Sequence, residues 1–103
     1  MRFLGSFKKT CTFERWQQLV SDLKPYTDKH GLRVIFATES EDGSMIYDVS
    51  EAKTMEGAQA FLSDPEVMRM RKEAGVDIDS QEIIARVDKF HIFQSFEVPI
   101  YLM

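Results

Sequence analysis

The sequence predicts an α+β fold, with four antiparallel strands in one sheet and two helical regions on one of its faces. Its apolar patterns follow the order strand–helix–strand–strand–helix–strand along 103 residues, a length typical of one domain. Asp42-Gly43 separates two apolar runs, which is a typical β-hairpin signal. The segment Ser63–Val76 has the pattern of a helix that begins at a proline and ends at a glycine. We therefore expect a single domain over residues 1–103.

The first strand is predicted over Phe3–Lys8, where alternation places Phe3, Gly5 and Phe7 on one face of the sheet. Gly5 has no side chain. Its position therefore indicates either room for a ligand or the close approach of a helix, and close approach is the commoner reason for a glycine in a strand.

The first helical region is predicted to begin after Thr12, whose hydroxyl can cap a helix. Pro25 lacks an amide hydrogen and disfavours helical geometry at the preceding residue, so we expect a break there. A short helical turn from Pro25 to His30 then ends at Gly31. Apolar residues recur at helical spacing before the break: Phe13, Trp16, Leu19, Val20 and Leu23.

The hairpin strands are predicted over Leu32–Thr38 and Met45–Ser50. On the first of them, simple alternation places Leu32, Val34 and Phe36 on one face and Ile35 and Ala37 on the other. On the second, it places Met45, Tyr47 and Val49 on one face and Ile46 and Asp48 on the other.

A second helical region is predicted from Thr54, with a restart at Asp64-Pro65 and an end at Gly75. The charged residues of its second half are expected to form a solvent-exposed face, with Arg69 and Glu73 as an i,i+4 ion pair. These charged residues are Arg69, Arg71, Lys72 and Glu73. A fourth strand is predicted over Gln81–Val87.

The last segment, Phe90–Met103, is very apolar for the end of a chain. Terminal segments of solvated proteins are usually polar and loose. We therefore expect residues 90–103 to form a tail that docks on the domain or exchanges with a partner chain, where it could cover an exposed strand edge.

The element order, the Gly31-Leu32-Arg33-Val34 strand entry and the FLSDPEV…EAGV segment together resemble the dimeric α/β-barrel group. Members of this group are ferredoxin-like βαββαβ monomers that pair sheet to sheet, and antibiotic-biosynthesis monooxygenases are among them. The resemblance covers about Phe3 to Val87. It implies a ferredoxin-like fold, a homodimer and, as one conceivable activity, oxygenation without a cofactor on a scaffold that hosts many chemistries.

Haem degradation, which some members of the group perform, is not expected. Those members share an asparagine, a tryptophan and a histidine that hold the porphyrin. This sequence has no asparagine, both histidines lie outside the second helical region, and Trp16 lies on the first helix. We therefore expect no cofactor.

A dimer also follows from the residues themselves. Two helical regions cover only one face of a four-stranded sheet. The second strand is apolar on both faces, and Leu4 and Ile84 add apolar side chains to the uncovered face. If that face stayed exposed to water, several kcal/mol of free energy from apolar burial would be lost, at about 25 cal/mol per Å² of apolar surface. A second copy of the chain is the natural cover.

The bulk composition excludes several classes of function. The net charge of −4 argues against binding to nucleic acid or to an anionic membrane. A single cysteine, Cys11, forms no intramolecular disulfide, and the start reaches Lys8 and Lys9 before an apolar core develops, so we expect a cytoplasmic protein without a secretory signal. Two histidines and one cysteine have no metal-ligand spacing, so we expect no metal.

The candidate ligand-binding residues are aromatic or histidine side chains: Phe7, Trp16, Tyr47, Phe61 and His91. No catalytic residue is assigned. Each candidate also has a structural interpretation, because buried tryptophan and tyrosine commonly pack in a core. Asp48 and Arg33 are interpreted as an ion pair across the hairpin.

The sequence is consistent with two functions. The protein either binds a small apolar or aromatic molecule between helices and sheet, with cofactor-free monooxygenase activity conceivable, or it is a non-catalytic dimeric module without a pocket. A pocket lined by convergent polar groups favours the first function. A pocket filled by Phe13, Trp16 and Phe61 favours the second.

Overall fold

The computed structural model describes residues 1–97. Each predicted helical region is present and consists of two consecutive helices, so the element order is strand, two helices, two strands, two helices, strand. The elements are β1 (Arg2–Lys9), α1 (Phe13–Asp22), α2 (Lys24–His30), β2 (Leu32–Glu39), β3 (Met45–Ala52), α3 (Met55–Ser63), α4 (Pro65–Glu73) and β4 (Val76–Val87).

The four strands form one antiparallel sheet in the order β2-β3-β1-β4. The predicted α+β class and antiparallel sheet are therefore confirmed, and the architecture is compatible with a ferredoxin-like fold. β4 begins at Val76 rather than at Gln81, because Val76 and Asp77 already pair with the end of β1. Two irregularities interrupt this pairing, one between Asp77 and Glu82 and a second at Ile84. Ile84 is an extra residue in the strand, because Ile83 lies opposite Gly5 and Ala85 lies opposite Leu4.

The helices begin and end where the sequence predicts. The side chains of Thr12, Thr54 and Asp64 each accept a hydrogen bond from a backbone amide of the first helical turn, at 3.1, 2.9 and 3.0 Å respectively. Gly31 ends α2 in the left-handed conformation, with φ of 70°. The predicted break lies at Leu23, which separates α1 from α2 just before Pro25.

The helices and one face of the sheet enclose the core. Its larger cluster includes Phe7, Trp16, Leu19, Ile46 and Val67, of which Ile46 and Val67 have no exposed surface. The helical layer packs closely, since a Cβ on Gly57 of α3 would overlap the carbonyl oxygen of His30 in α2. A glycine is therefore required where these two helices cross.

A β-bulge in β2 changes which side chains face the core. Val34 is opposite Ser50 and Phe36 is opposite Val49, so Ile35 is an extra residue in the strand. An inserted residue reverses the alternation that follows it. Phe36 is consequently 60% exposed on the face without helices, while Ala37 packs against the core. The predicted faces of Phe36 and Ala37 are wrong for this reason.

Lys9, at the end of β1, holds the β2–β3 connection in place. Its side chain is fully buried, and its ammonium lies 2.6 Å from a Glu39 carboxylate oxygen. It also donates hydrogen bonds to the carbonyl oxygens of Gly43 at 2.7 Å and Cys11 at 2.6 Å. These three acceptors match the three protons of the ammonium group, so the burial of this charge is fully compensated.

Residues 88–97 follow β4 and form neither helix nor strand. Arg2 contacts their start, because its guanidinium donates a hydrogen bond to the Asp88 carbonyl at 2.9 Å and lies 5.3 Å from the centre of the Phe90 ring. Phe93 and Phe96 are exposed on the single chain. Docking of the tail over 90–103 stays a prediction, and residues 98–103 lie outside the described residues.

Candidate functional site

A cavity of about 110 Å³ lies between the helices and the covered face of the sheet. Its walls are mainly apolar, with contributions from Phe7, Trp16, Leu19, Phe61 and Ile83. Trp16 packs against two phenylalanine rings, with centroid distances of 6.0 and 5.8 Å, yet the space beside it stays open. A cavity of about 150 Å³ with such walls holds a benzene molecule, so this space matches about one six-membered ring.

Arg71 of α4 is the most unusual side chain of the cavity wall. It is only 6% exposed, and its guanidinium lies 5.2 Å from the centre of the Phe7 ring. One terminal nitrogen donates a hydrogen bond to Gln81 Oε1 at 2.6 Å. Burial lowers the pKa of Arg71, and the nearby Asp48 carboxylate opposes this shift. Arg71 is therefore a cation held in a mostly apolar wall.

The predicted exposed face of α4 is wrong at Arg71 and right at Arg69. Arg69 is half exposed and pairs with Glu73 at 2.9 Å and with Glu66 at 2.8 Å. Arg71 lies four residues after the fully buried Val67, which places the two on the same side of the helix. The four-residue spacing from Val67 therefore indicated in the sequence that Arg71 is buried. The prediction followed the charge of Arg71 instead.

Asp48 of β3 supplies a carboxylate to the same cavity. It is two residues after the fully buried Ile46, so the strand alternation turns it towards the helices. Its cross-strand neighbours are Gly5 and Ala37. The predicted pair with Arg33 is wrong, because Arg33 lies opposite Glu51.

The carboxylate of Asp48 is partly buried and has no protein partner among the described residues. Among the described residues, no donor lies within hydrogen-bonding distance of it, and no ion pair joins it to Arg71. Burial raises the pKa of Asp48 from its ordinary 3.8 to about 6, and the charge of Arg71 only partly offsets this effect. At neutral pH Asp48 is thus mainly an ionised carboxylate that can accept a proton.

Gly5 makes room for this carboxylate. A Cβ at residue 5 would lie 3.2 Å from Asp48 Oδ1 and 3.2 Å from the Glu82 carbonyl oxygen, which is tighter than ordinary carbon contacts. The sequence offered a ligand or a helix as the reason for this glycine. The structure shows instead that a side chain of β3 and the backbone of β4 approach it.

The cavity brings together three of the five predicted ligand-binding residues. Phe7, Trp16 and Phe61 line it. Tyr47 pairs with Ser6 and Thr38 and lies on the opposite face of the sheet, 39% exposed. His91 is exposed in the segment after β4, where its ring contacts Phe93 at 4.7 Å. The cavity also has polar lining residues that were not predicted as ligand-binding: Thr27, Arg33, Asp48, Ser50, Arg71 and Gln81.

His30 has a structural partner beside the cavity. Its Nε2 lies 3.1 Å from a carboxylate oxygen of Asp64, the residue that caps α4. This hydrogen bond lowers the pKa of Asp64. The His30 ring also meets the Phe61 ring edge-on, with 6.3 Å between centroids. His30 therefore joins the end of α2 to the start of α4.

No protein-family model matches this chain, and no curated protein matches its sequence. Within residues 1–97, no cluster of three or more histidine, cysteine or acidic side chains could hold a metal ion. The helices of the same part of the chain are all too short or too polar to cross a membrane.

Proposed function

We propose that the protein binds a small molecule with an apolar or aromatic body in the cavity between its helices and its sheet. The observation that carries the proposal is the presence of two charged groups without an ion-pair partner, Arg71 and Asp48, in a mainly apolar wall. A cavity with apolar walls and a few convergent polar groups is typical of ligand sites. Perturbed pKa values at such a place also favour function over packing.

Trp16 provides the test, because it is the only tryptophan of the chain and it lines the cavity. Titration with toluene should change the fluorescence of Trp16, and calorimetry should give a matching dissociation constant. Ala58→Leu fills the cavity from α3 and should weaken binding at least tenfold. The control Ala60→Leu makes the same change on an exposed position of that helix and should leave binding unchanged. Equal binding by both variants would contradict the proposal.

An enzymatic form of the proposal follows from the resemblance to antibiotic-biosynthesis monooxygenases. Oxygenation of a phenol without a cofactor requires a group that accepts the phenol proton and a cation that stabilises the resulting anion. Asp48 and Arg71 are the groups of the cavity with these properties. Oxygen consumption with a single-ring phenol as substrate tests this form, and it should disappear in Arg71→Met.

We also propose that the chain forms a homodimer through the sheet face without helices, as a dimeric α/β barrel. Large apolar side chains are exposed on or beside that face: Ile35 39%, Phe36 60%, Tyr47 39% and Ile84 48%. A second sheet would bury on the order of 2,000 Å² or more, which is the range of obligate dimers. The tail over 90–103, docked on its own domain or exchanged with the partner, would cover an exposed strand edge.

Light scattering at low micromolar concentration tests the dimer. The parent chain should have twice the mass of the 12.0 kDa monomer, and Phe36→Asp should release monomers. The control Gln17→Asp places the same charge on the exposed side of α1 and should leave the mass unchanged. A dimer without any aromatic binding would favour the alternative function, a non-catalytic interaction module.

A further inference from the structure

We infer that the ligand of this cavity carries an uncharged polar group with a hydrogen-bond donor beside an acceptor, as in a carboxamide or a carboxylic acid that keeps its proton. The donor faces Asp48, and the acceptor faces Arg71. This inference rests on the proposed function and specifies the class of ligand.

Two charged side chains that face the cavity, Asp48 and Arg71, have opposite signs. Asp48 and Arg71 line the same space without touching, so a bridging group would satisfy both. Their charges cancel, and a ligand group with a net charge would leave one charge uncompensated among apolar walls, which is costly. The bound polar group should therefore be neutral when any shared proton is counted.

The other elements around the cavity add little charge. Gly5 of β1 and Gln81 of β4 are uncharged, and the residues that α1, α2 and α3 contribute are apolar except for Thr27. Arg33 of β2 is the remaining charged residue of the wall, and it is exposed. Water screens an exposed charge strongly. Asp48 and Arg71 therefore dominate the recognition of the polar group.

Asp48 and Arg71 also differ in the hydrogen bonds that they can form. A guanidinium only donates, and an ionised carboxylate only accepts. Gln81 accepts a hydrogen bond from one terminal nitrogen of Arg71, and the other donors of this guanidinium have no hydrogen-bond partner among the described residues. A carboxamide presents N–H to Asp48 and C=O to Arg71 without any proton transfer. A carboxylate ligand fits only after Asp48 takes up a proton, which it then donates to the ligand.

Benzamide and benzoate test this difference, since they share one ring and differ in the polar group. We expect the affinity for benzamide to stay constant from pH 6.5 to 8.5. The affinity for benzoate should fall about tenfold per pH unit above pH 6, where Asp48 is ionised in the free protein. Calorimetry in buffers of different ionisation enthalpy should show about one proton taken up per benzoate at pH 8 and none per benzamide.

Asp48→Asn supplies the decisive variant, because it removes the carboxylate charge and leaves the charge of Arg71 to attract an anion. It should bind benzoate about 100-fold more tightly than the parent at pH 8, without proton uptake and without pH dependence. The control Asp79→Asn changes an exposed carboxylate outside the cavity and should behave like the parent. A purely structural Asp48 would not reverse the preference for the two ligands.

The outcomes separate this inference from the proposed function. If toluene binds in the cavity but benzoate binding is independent of pH, or Asp48→Asn leaves it unchanged, the inference is overturned and the proposed function stands. If toluene, benzamide and benzoate all fail to bind, the proposed function fails and the inference fails with it.

Discussion

The carboxylate of Asp48 should make the folded protein less stable at neutral pH, and Asp48→Asn should relieve this destabilisation. Burial raises the pKa of Asp48 from 3.8 to about 6. A raised pKa means that the folded state binds the proton more tightly than the unfolded state. The contribution of Asp48 to stability is therefore fully present below pH 3.8 and is lost as the pH rises through 6.

The size of the effect follows from the two pKa values. Their difference, at about 1.4 kcal/mol for each pH unit, gives about 3 kcal/mol as the upper figure above pH 7. Screening by water that reaches the half-buried carboxylate reduces this figure to about 1–3 kcal/mol. At pH 5 about half of the difference has developed, and at pH 3.5 almost none.

Urea denaturation at equal protein concentration, followed by far-ultraviolet circular dichroism, measures this difference. Asp48→Asn should have a higher free energy of unfolding than the parent at pH 8, a smaller advantage at pH 5, and the same value as the parent at pH 3.5 if both still fold. Asp79→Asn, at an exposed position, should follow the parent throughout. An Asp48→Asn protein that is less stable than the parent at pH 8 would refute the reasoning about this cavity.

Three further substitutions test the packing. Trp16→Ala should lower the free energy of unfolding by about 3–5 kcal/mol, because the indole is 6% exposed and packs in the core; a loss below about 1 kcal/mol would show that it is only a cavity wall. Gly57→Ala should lower the free energy of unfolding by about 1–3 kcal/mol, because it forces apart the helices that meet at the His30 carbonyl. A higher free energy of unfolding would mean that this contact is loose. Lys9→Met should lower the free energy of unfolding by about 1–3 kcal/mol, because Glu39 and two carbonyl oxygens lose their buried partner. It should also expose the β2–β3 connection to proteolysis, and unchanged proteolysis would contradict this role of Lys9.

The helix boundaries could be predicted from the sequence because their causes are local. Thr12, Thr54 and Asp64 cap the helices that directly follow them, and Gly31 ends α2 through its own backbone conformation. Such signals act over three or four residues and need no knowledge of the tertiary structure.

The bulge in β2 and the polar residues of the cavity depend on contacts distant in sequence. The register between Val34 and Phe36 is decided by β3, and no local pattern marks Ile35 as the extra residue. Arg71 is buried because Phe7 and Gln81 receive its guanidinium from two different strands. Charge alone predicted an exposed side chain there, as it does for most arginines.

The junction of α2, α3 and α4 has a kinetic consequence for the cavity. The Gly57 contact joins α2 to α3, and the His30–Asp64 hydrogen bond joins α2 to the start of α4, so these three helices are linked to one another. The cavity reaches solvent beside the exposed Arg33 and the half-exposed Ile83, so a ligand can enter and leave without separation of these helices. Molecules should enter and leave while the amides of these helices stay protected from hydrogen exchange.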